Sequence, residues 1–268
     1  MLIKIDNFEF TAVWDGVLYK KLSRYPAVSD WEKRNIIEFV EYEASHGREC
    51  TIECEDTDIL AEVNNALQNR ETYRDVPRPT LQTECTACRQ GGCLTEFVCH
   101  TSSVENARKI LECGSLLSAI KARKVSAEEL MAEPRNAAKD PADYFEYIML
   151  SWGNCQAGDR LVMERKLGRF PDEQDLSVDF TPGVRFYFRY EDIVKHPGRV
   201  FDGVLPMKIK DEIVLKDWLY AMVIPAGVEL DVPDSLKDRT IYVENDCRDI
   251  WAWSEKVYRL IENRDHKF

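Results

Sequence analysis

Alternating hydrophobic and polar positions open the chain and predict a small unit that begins with β-structure. LIKIDNFEF and VLYKKL alternate with a period of two, and the pair Asp15-Gly16 between them favours a two-residue hairpin turn. From residue 29 to about residue 45 the apolar spacing becomes helical, and Ser29 stands where an N-cap is preferred. A short strand near residues 50 to 54 and a helix near residues 56 to 67 follow.

A strand, a polar turn and a helix are predicted around residue 100. TEFVCH has the short apolar centre of a strand, and Ser102 with Glu105 has the spacing of a capping box. Gly114 stands where a left-handed residue ends many helices. The pattern therefore predicts a helix between residues 103 and 113.

The next segment predicts two further helices and then irregular structure. A second capping box, Ser126 with Glu129, opens a short helix, and Asp140-Pro141 favours the start of another. The apolar residues assigned to this third helix are Tyr144, Tyr147, Ile148 and Met149. Residues 153 to 180 are polar and show no period.

Period-two alternation returns in GVRFYFRY and predicts a strand with one apolar and one polar face. The apolar set is Val184, Phe186 and Phe188. The polar set is Arg185, Tyr187 and Arg189, and we expect it to face a ligand. Three later apolar runs, DEIVL, WLYAMVI and RTIYVEN, are further strand candidates, and residues 246 to 262 have the spacing of an amphipathic helix.

Composition divides the chain and limits its function. A polar stretch with prolines and adjacent glycines separates an N-terminal α+β module, residues 1–80, from a domain at residues 94–268, with a linker at residues 81–93. The N-terminus lacks the apolar run of a signal peptide, and no run is long enough to span a membrane, so we expect a cytoplasmic protein without a membrane partner. A net charge of -12 argues against non-specific coating of nucleic acid, although a local basic groove remains possible.

Nine cysteines without an export signal favour free thiols over disulfides. Four of them, Cys85, Cys88, Cys93 and Cys99, begin with the spacing of a zinc knuckle. The spacings after the first pair are irregular, so two interpretations stay open: a structural zinc site, or a glycine-containing linker with incidental thiols.

His100 is the best placed of only four histidines. It ends the predicted strand and precedes Thr101, Ser102 and Ser103, three hydroxyls at a helix entrance where backbone N–H groups favour a polar or anionic ligand. The alternative is that Ser102 only caps the helix and His100 is an exposed strand end. Phosphate-loop, Rossmann, zincin and serine-hydrolase motifs are absent.

Three segments, in order, resemble the ADP-ribosyltransferases. EFVCHTSSVENARKILECGSLLS looks like their opening motif, and GVRFYFRY is similar to the V-x-F-Y-F strand of the DarT-type branch, toxins that ADP-ribosylate nucleic acid. KDEIVLKDWLYAMVIP is similar to that branch's Q-A-E-x-L-V segment, which makes Glu212 the counterpart of the catalytic glutamate. The resemblance covers about residues 95 to 230. Lys210 replaces the family's glutamine, and Arg160 and Arg165 are the candidates for its phosphate-binding arginine.

The resemblance implies an α+β fold of split antiparallel sheets flanked by helices, and NAD as substrate. Glu212 would orient the ribose and stabilise the developing cation, and His100 would hold the adenosine-side ribose. Thr101 and Ser102 would anchor the nicotinamide amide. The remaining implied contacts are stacking by Tyr187 and phosphate contacts from Arg185 or Arg189.

The resemblance also implies an acceptor and a partner. The acceptor would be nucleic acid, presented by residues 201 to 210, and a toxin of this kind would need a neutralising antitoxin protein. Two alternatives stay open. One is a non-catalytic zinc-binding interaction module whose C-terminal helix docks through Trp251 and Trp253, and the other is an RNA 2′-phosphotransferase, which would not require Glu212.

Overall fold

The chain forms an α+β structure with several mixed sheets flanked by helices, which confirms the predicted class. The structure is a computed structural model, and it describes residues 1–8, 11–76, 96–133, 139–169 and 171–264. The predicted linker and its Cys85, Cys88 and Cys93 lie outside the described residues. None of the helices in the described ranges combines the length and apolar character that crossing a bilayer requires.

The N-terminal module, residues 1–76 in the structure, is a four-stranded sheet covered by helices. Its strands are β1 Leu2–Asp6, β2 Ala12–Trp14, β3 Val17–Lys21 and β4 Thr51–Cys54, in the order β2-β3-β1-β4. Its helices are α1 Asp30–Ser45 and α2 Thr57–Gln68, followed by a 3-10 turn at Arg70–Tyr73. The predicted turn at Asp15-Gly16 is present, and both residues have the positive φ that it requires. The turn joins β3 to β2 and not to the LIKIDNFEF segment, because β1 of that segment pairs with β3 in parallel.

Helix α1 begins where the sequence predicts and packs its apolar side into this module. Ser29 and Glu32 form a reciprocal capping box that satisfies backbone N–H groups of the first turn. Ile36 and Phe39 are almost completely buried against β1 and β3 residues such as Ile3 and Leu18. Burial of this apolar area is what stabilises the module.

The rest of the chain forms a seven-stranded sheet with a separate two-stranded sheet. The strands are β5 Phe97–Ser102, β6 Ser115–Leu117, β7 Tyr147–Trp152, β8 Val184–Arg189, β9 Arg199–Val200, β10 Met207–Lys210, β11 Glu212–Val214, β12 Ala221–Pro225 and β13 Thr240–Val243. The large sheet has the order β13-β12-β8-β5-β7-β10-β9, and only its β12 and β13 pair in parallel. Strands β6 and β11 form the small antiparallel sheet.

Helices cover both faces of the large sheet. They are α3 Val104–Cys113, α4 Ala119–Arg123, α5 Ala127–Met131, α6 Ala157–Leu167, α7 Tyr190–Ile193, α8 Leu215–Trp218, α9 Asp234–Lys237 and α10 Ile250–Glu262, with a 3-10 turn at Ala142–Glu146. Helix α3 packs on one face, where Ala107 and Leu111 join Val98 and Phe186 in one core. Helices α6 and α10 contribute to a second core on the other face.

Two predicted elements are wrong. Tyr147, Ile148 and Met149 lie in strand β7 and not in a third helix, because β10 pairs with these residues and β5 pairs with the end of the same strand. Helix α6 occupies part of the segment predicted to be irregular. Its apolar side is short, so the sequence shows no helical period there, and its stability comes from packing on β5 and β8.

Candidate functional site

His100 lies near the end of the central strand β5, between β8 and β7. Its side chain is partly exposed, and its Nδ1 atom is 3.1 Å from the carbonyl oxygen of Met149. Because a carbonyl oxygen only accepts hydrogen bonds, Nδ1 is the protonated nitrogen in the neutral ring, and Nε2 is left as an acceptor. Nε2 bonds to no residue in the described ranges.

Burial and a nearby charge keep the His100 ring neutral. Burial lowers the pKa of His100, the hydrogen bond to Met149 opposes this, and the positive charge of Arg165 lowers the pKa further. Arg165 belongs to the last turn of α6. The structure therefore brings His100 within electrostatic reach of one of the two arginines that the sequence left as phosphate-binding candidates.

Thr101 and Ser102 follow on β5 but differ from the predicted arrangement. Thr101 Oγ1 is buried without a hydrogen-bond partner in the described part of the chain, and it would lie 2.5 Å from a β-carbon placed on Gly158. The hydroxyl is thus enclosed by the start of α6. Ser102 is 7% exposed and does not cap α3, since Ser103 Oγ accepts the capping bond from the Asn106 N–H at 3.2 Å.

Glu212 begins β11, directly after the strand β10 and a one-residue turn at Asp211. Asp211 has a φ of 69°, and its carbonyl oxygen accepts a hydrogen bond from the Ser118 N–H at 2.8 Å. Glu212 itself pairs with Leu117 of β6, is partly exposed, and makes no side-chain hydrogen bond or ion pair with a described residue. Its carboxylate is therefore available to a ligand.

His100 and Glu212 lie toward the same end of the large sheet. Strands β5 and β10 both run antiparallel to β7, so they point in the same direction on either side of it. Strands β5 and β10 are about 10 Å apart, which is two strand spacings. Glu212 follows the end of β10, whose last residue, Lys210, bonds to Glu146 at 3.1 Å. The two candidate residues flank β7 without contacting each other.

Arg185 and Tyr187 are enclosed in the interior of the domain, which corrects the prediction that their side of β8 faces a ligand. Both are 0% exposed. The Arg185 guanidinium bonds to Asp159 of α6, to the Tyr187 hydroxyl at 3.1 Å and to Ser254 of α10. These contacts join β8, α6 and α10, so Arg185 and Tyr187 serve the packing of the domain in this structure and cannot contact NAD without opening it.

The Arg185 pair with Asp159 dominates the electrostatics of this interior. Burial alone would lower the pKa of Arg185, but the adjacent Asp159 carboxylate outweighs it and holds the pKa well above the ordinary value. Burial raises the pKa of Tyr187. Both side chains therefore keep their protons at neutral pH. Arg189 lies at the opposite end of β8, 4.5 Å from the Tyr220 ring centre, because Phe97 pairs with Arg189 while Ser102 pairs with Val184.

Cys99, the described member of the predicted zinc cluster, is a core residue. It is 1% exposed, its sulfur is 3.6 Å from Ser151 Oγ, and burial raises the pKa of its thiol to about 11. A metal ligand must be a thiolate, and this site disfavours one. The described residues contain no group of three or more histidine, cysteine or acidic side chains arranged to hold a metal.

Two surface cavities lie away from His100 and Glu212. One, of about 350 Å³, is lined by Arg189, Trp218, Tyr220 and Arg239, among others. The other, of about 320 Å³, lies between Arg108, Glu112 and Asp231. Comparison of the chain with protein family models, curated proteins and solved structures found no match.

Proposed function

We propose that this chain is an NAD-dependent ADP-ribosyltransferase that modifies a macromolecular acceptor, with nucleic acid as the class favoured by its DarT-like motifs. The observation that carries the proposal is the pair of unsatisfied polar groups at one end of the sheet, His100 Nε2 and the Glu212 carboxylate. Polar groups buried in a folded protein almost all have protein partners, whereas these two are partly exposed and can bond to a ligand in place of water. Both belong to residues that the motifs single out, and both are well suited to a polar ligand.

Transfer from NAD requires two groups of the protein at separate places along the extended dinucleotide: one that accepts a hydrogen bond, and a carboxylate. The bond between the ribose C1′ carbon and the nicotinamide nitrogen breaks, the bonding electrons leave with nicotinamide, and positive charge develops on the ribose. Glu212 would accept a hydrogen bond from a ribose hydroxyl and stabilise that charge. A lone pair of the acceptor then forms the new bond to C1′, and the acceptor's proton passes to Glu212 and on to water.

His100 would bind the ligand at its other end. The neutral ring offers Nε2 to a hydroxyl of the adenosine-side ribose, and the nearby positive charge of Arg165 would favour the pyrophosphate. Arg165 thereby replaces Arg185 as the phosphate-binding candidate. The split-sheet fold of the family and the roles of Thr101 and Ser102 remain part of this proposal.

The test is transfer of label from NAD labelled on its adenylate half, with DNA, RNA and total cell protein offered separately. We expect label in one acceptor pool with the wild type and a loss of about 100-fold or more with Glu212→Gln. Glu229→Gln is the matched control, since Glu229 is an exposed glutamate on the loop after β12. The pool that takes up label identifies the acceptor class.

Two results would contradict the proposal. One is the absence of both NAD binding and transfer by the folded wild type. The other is equal transfer by the wild type and Glu212→Gln, which would favour the RNA 2′-phosphotransferase alternative if a 2′-phosphorylated RNA is dephosphorylated in the presence of NAD. That alternative needs several arginines at one phosphate, and the burial of Arg185 counts against it.

The binding-module alternative is weaker in its original form. Trp253 is 0% exposed and belongs to the core, so of the two tryptophans only Trp251, at 46%, could meet a partner. The neutralising antitoxin protein follows from the proposed toxin activity alone. Its test is co-expression with neighbouring genes of the source genome in cells that the wild-type chain harms and that Glu212→Gln does not.

A further inference from the structure

A buried lysine links the N-terminal module to the strand that leads to Glu212. Lys208 of β10 is 1% exposed, and its ammonium group is 2.6 Å from an Asp202 carboxylate oxygen. The same ammonium lies 4.0 Å from the ring centre of Tyr144 and 4.5 Å from that of Tyr42. An isolated buried ammonium is costly, and this one is offset by one ion pair and by aromatic faces.

The walls of this lysine site come from both parts of the chain. Tyr42 belongs to α1 of the N-terminal module, while Tyr144 belongs to the 3-10 turn before β7. The Tyr42 hydroxyl donates to Asp143 at 2.6 Å, and Arg48 Nη1 bonds to the same carboxylate at 2.6 Å. Tyr42 is thus held in place over the ammonium by contacts that cross between the two units.

Backbone contact strengthens the same junction. Gly203 has a φ of 71°, and a β-carbon there would lie 1.9 Å from the carbonyl oxygen of Asn35 in α1. Only glycine allows the loop before β10 to approach the helix so closely. Asp202, next to it, accepts hydrogen bonds from the N–H groups of Val204 and Leu205, so the loop that supplies the lysine's counter-ion is ordered by its own backbone.

Lys208 precedes Glu212 by four residues, and strand pairing fixes most of the backbone between them. Lys210 pairs with Tyr147 of β7 and bonds to Glu146, and the Asp211 turn then sets the start of β11. A strand hydrogen-bonded on its neighbour has little freedom to shift along its length. An anchor at Lys208 therefore restricts where Glu212 can stand.

We propose that Lys208 is a positioning residue for Glu212, and that helix α1 forms part of the candidate site by holding Lys208 through Tyr42. The kinetic part of this inference rests on the proposed function. The mechanical part, that α1 holds residues 201 to 214 in place, does not. The N-terminal module is then an integral part of the enzyme, although its residues contact no reacting group.

The test compares variants of the full chain by hydrogen exchange of residues 201 to 214 and by transfer kinetics. We expect Lys208→Met and Tyr42→Leu to increase exchange in this segment at least several-fold. Both should lower kcat by 10-fold or more, with less than a three-fold change in KM for NAD. Tyr42→Phe keeps the ring but loses its bond to Asp143, so its exchange should lie between that of the wild type and that of Tyr42→Leu. Lys195→Met, which removes an exposed lysine paired with Asp192, should change neither readout.

Each outcome decides one part of the inference. If Lys208→Met lowers the melting temperature too far for assay, Asp202→Asn with Lys208→Met removes both charges while the asparagine oxygen can still accept the loop's two N–H bonds. Unchanged exchange in folded Lys208→Met and Tyr42→Leu would overturn the mechanical part. Increased exchange with unchanged kcat would overturn the positioning role. A wild type without transfer activity would remove the proposed function and leave the exchange result to decide the mechanical part.

Discussion

Two regions of the large domain carry polar residues on strands: the interior side of β8, and the end of the sheet near His100 and Glu212. They differ in whether those residues have hydrogen-bond partners within the protein. On β8, Arg185 and Tyr187 have their polar atoms matched by Asp159 and Ser254 and are sealed from solvent. At the end of the sheet near His100, Glu212 is partly exposed and lacks a partner in the described ranges. A polar residue on a strand thus has a packing role when buried partners match it, whereas one without such partners stays accessible to solvent and to a ligand.

The largest expected effect is a difference between these two regions in how much a substitution lowers the free energy of unfolding. Arg185→Met leaves the Asp159 carboxylate buried and unpaired, and we expect a loss of about 3–5 kcal/mol in the free energy of unfolding. Glu212→Gln should change it by less than about 0.5 kcal/mol, since a partly exposed group without contacts is replaced. Urea denaturation followed by far-UV circular dichroism measures both.

The double variant Arg185→Met with Asp159→Asn is the control for this comparison. It also removes the carboxylate charge that Arg185→Met leaves unpaired, and it should recover a large part of the lost stability. Arg199→Met, at an exposed arginine, should have little effect. Equal destabilisation by Arg185→Met and Arg199→Met would show that the buried network does not hold β8, α6 and α10 together.

A second comparison concerns a buried lysine, Lys20, whose acidic neighbours only partly offset the cost of burying its charge. Lys20 of β3 is 3% exposed, and burial lowers its pKa from 10.5 to about 8 despite the nearby charges of Glu32 and Glu38. Because its folded pKa lies below its unfolded pKa, the unfolded chain binds more protons between pH 8 and 10.5. Stability therefore rises with pH across this window, by up to about 3 kcal/mol at 1.36 kcal/mol per pKa unit.

Lys20→Met supplies the control, because tyrosine ionisation acts on both proteins in the same pH range. The difference in free energy of unfolding between wild type and Lys20→Met should move in favour of the wild type as pH increases from 8 to 10.5. Chemical denaturation at a series of pH values measures it. A difference that is constant with pH would mean that Lys20 titrates normally in the folded protein.

The smallest expected effect tests whether Arg165 and His100 are close together. The pKa of His100 should lie below 6.5 in the folded chain, and Arg165→Ala should raise it, because one nearby positive charge is removed. Proton NMR titration of the imidazole signals measures this, with His100→Asn to assign the resonance. Lys166→Ala, at the adjacent residue of α6, is the control, and an equal shift there would remove Arg165 from the proposed phosphate site.

Much of the fold follows from patterns a few residues long. The helix N-cap at Ser29, the hairpin turn at Asp15-Gly16 and the helix end at Gly114 all appear where the sequence predicts them. The candidate residues His100 and Glu212 were also accessible to sequence reasoning, the first by its place at a strand end and the second by motif resemblance. Whether they act as proposed is what the transfer assay decides.

The sequence by itself determined the helix ends, the tight turns and the alternating strands, because the interactions that specify them join residues near in the chain. Only the tertiary structure decided that residues 147 to 152 form a strand, that Arg185 is enclosed, and that Lys208 lies against Tyr42. These outcomes depend on partners from distant segments, such as β10 for β7, α6 and α10 for Arg185, and α1 for Lys208. A period in the sequence shows which side of a strand is polar, but burial is set by what packs against that side.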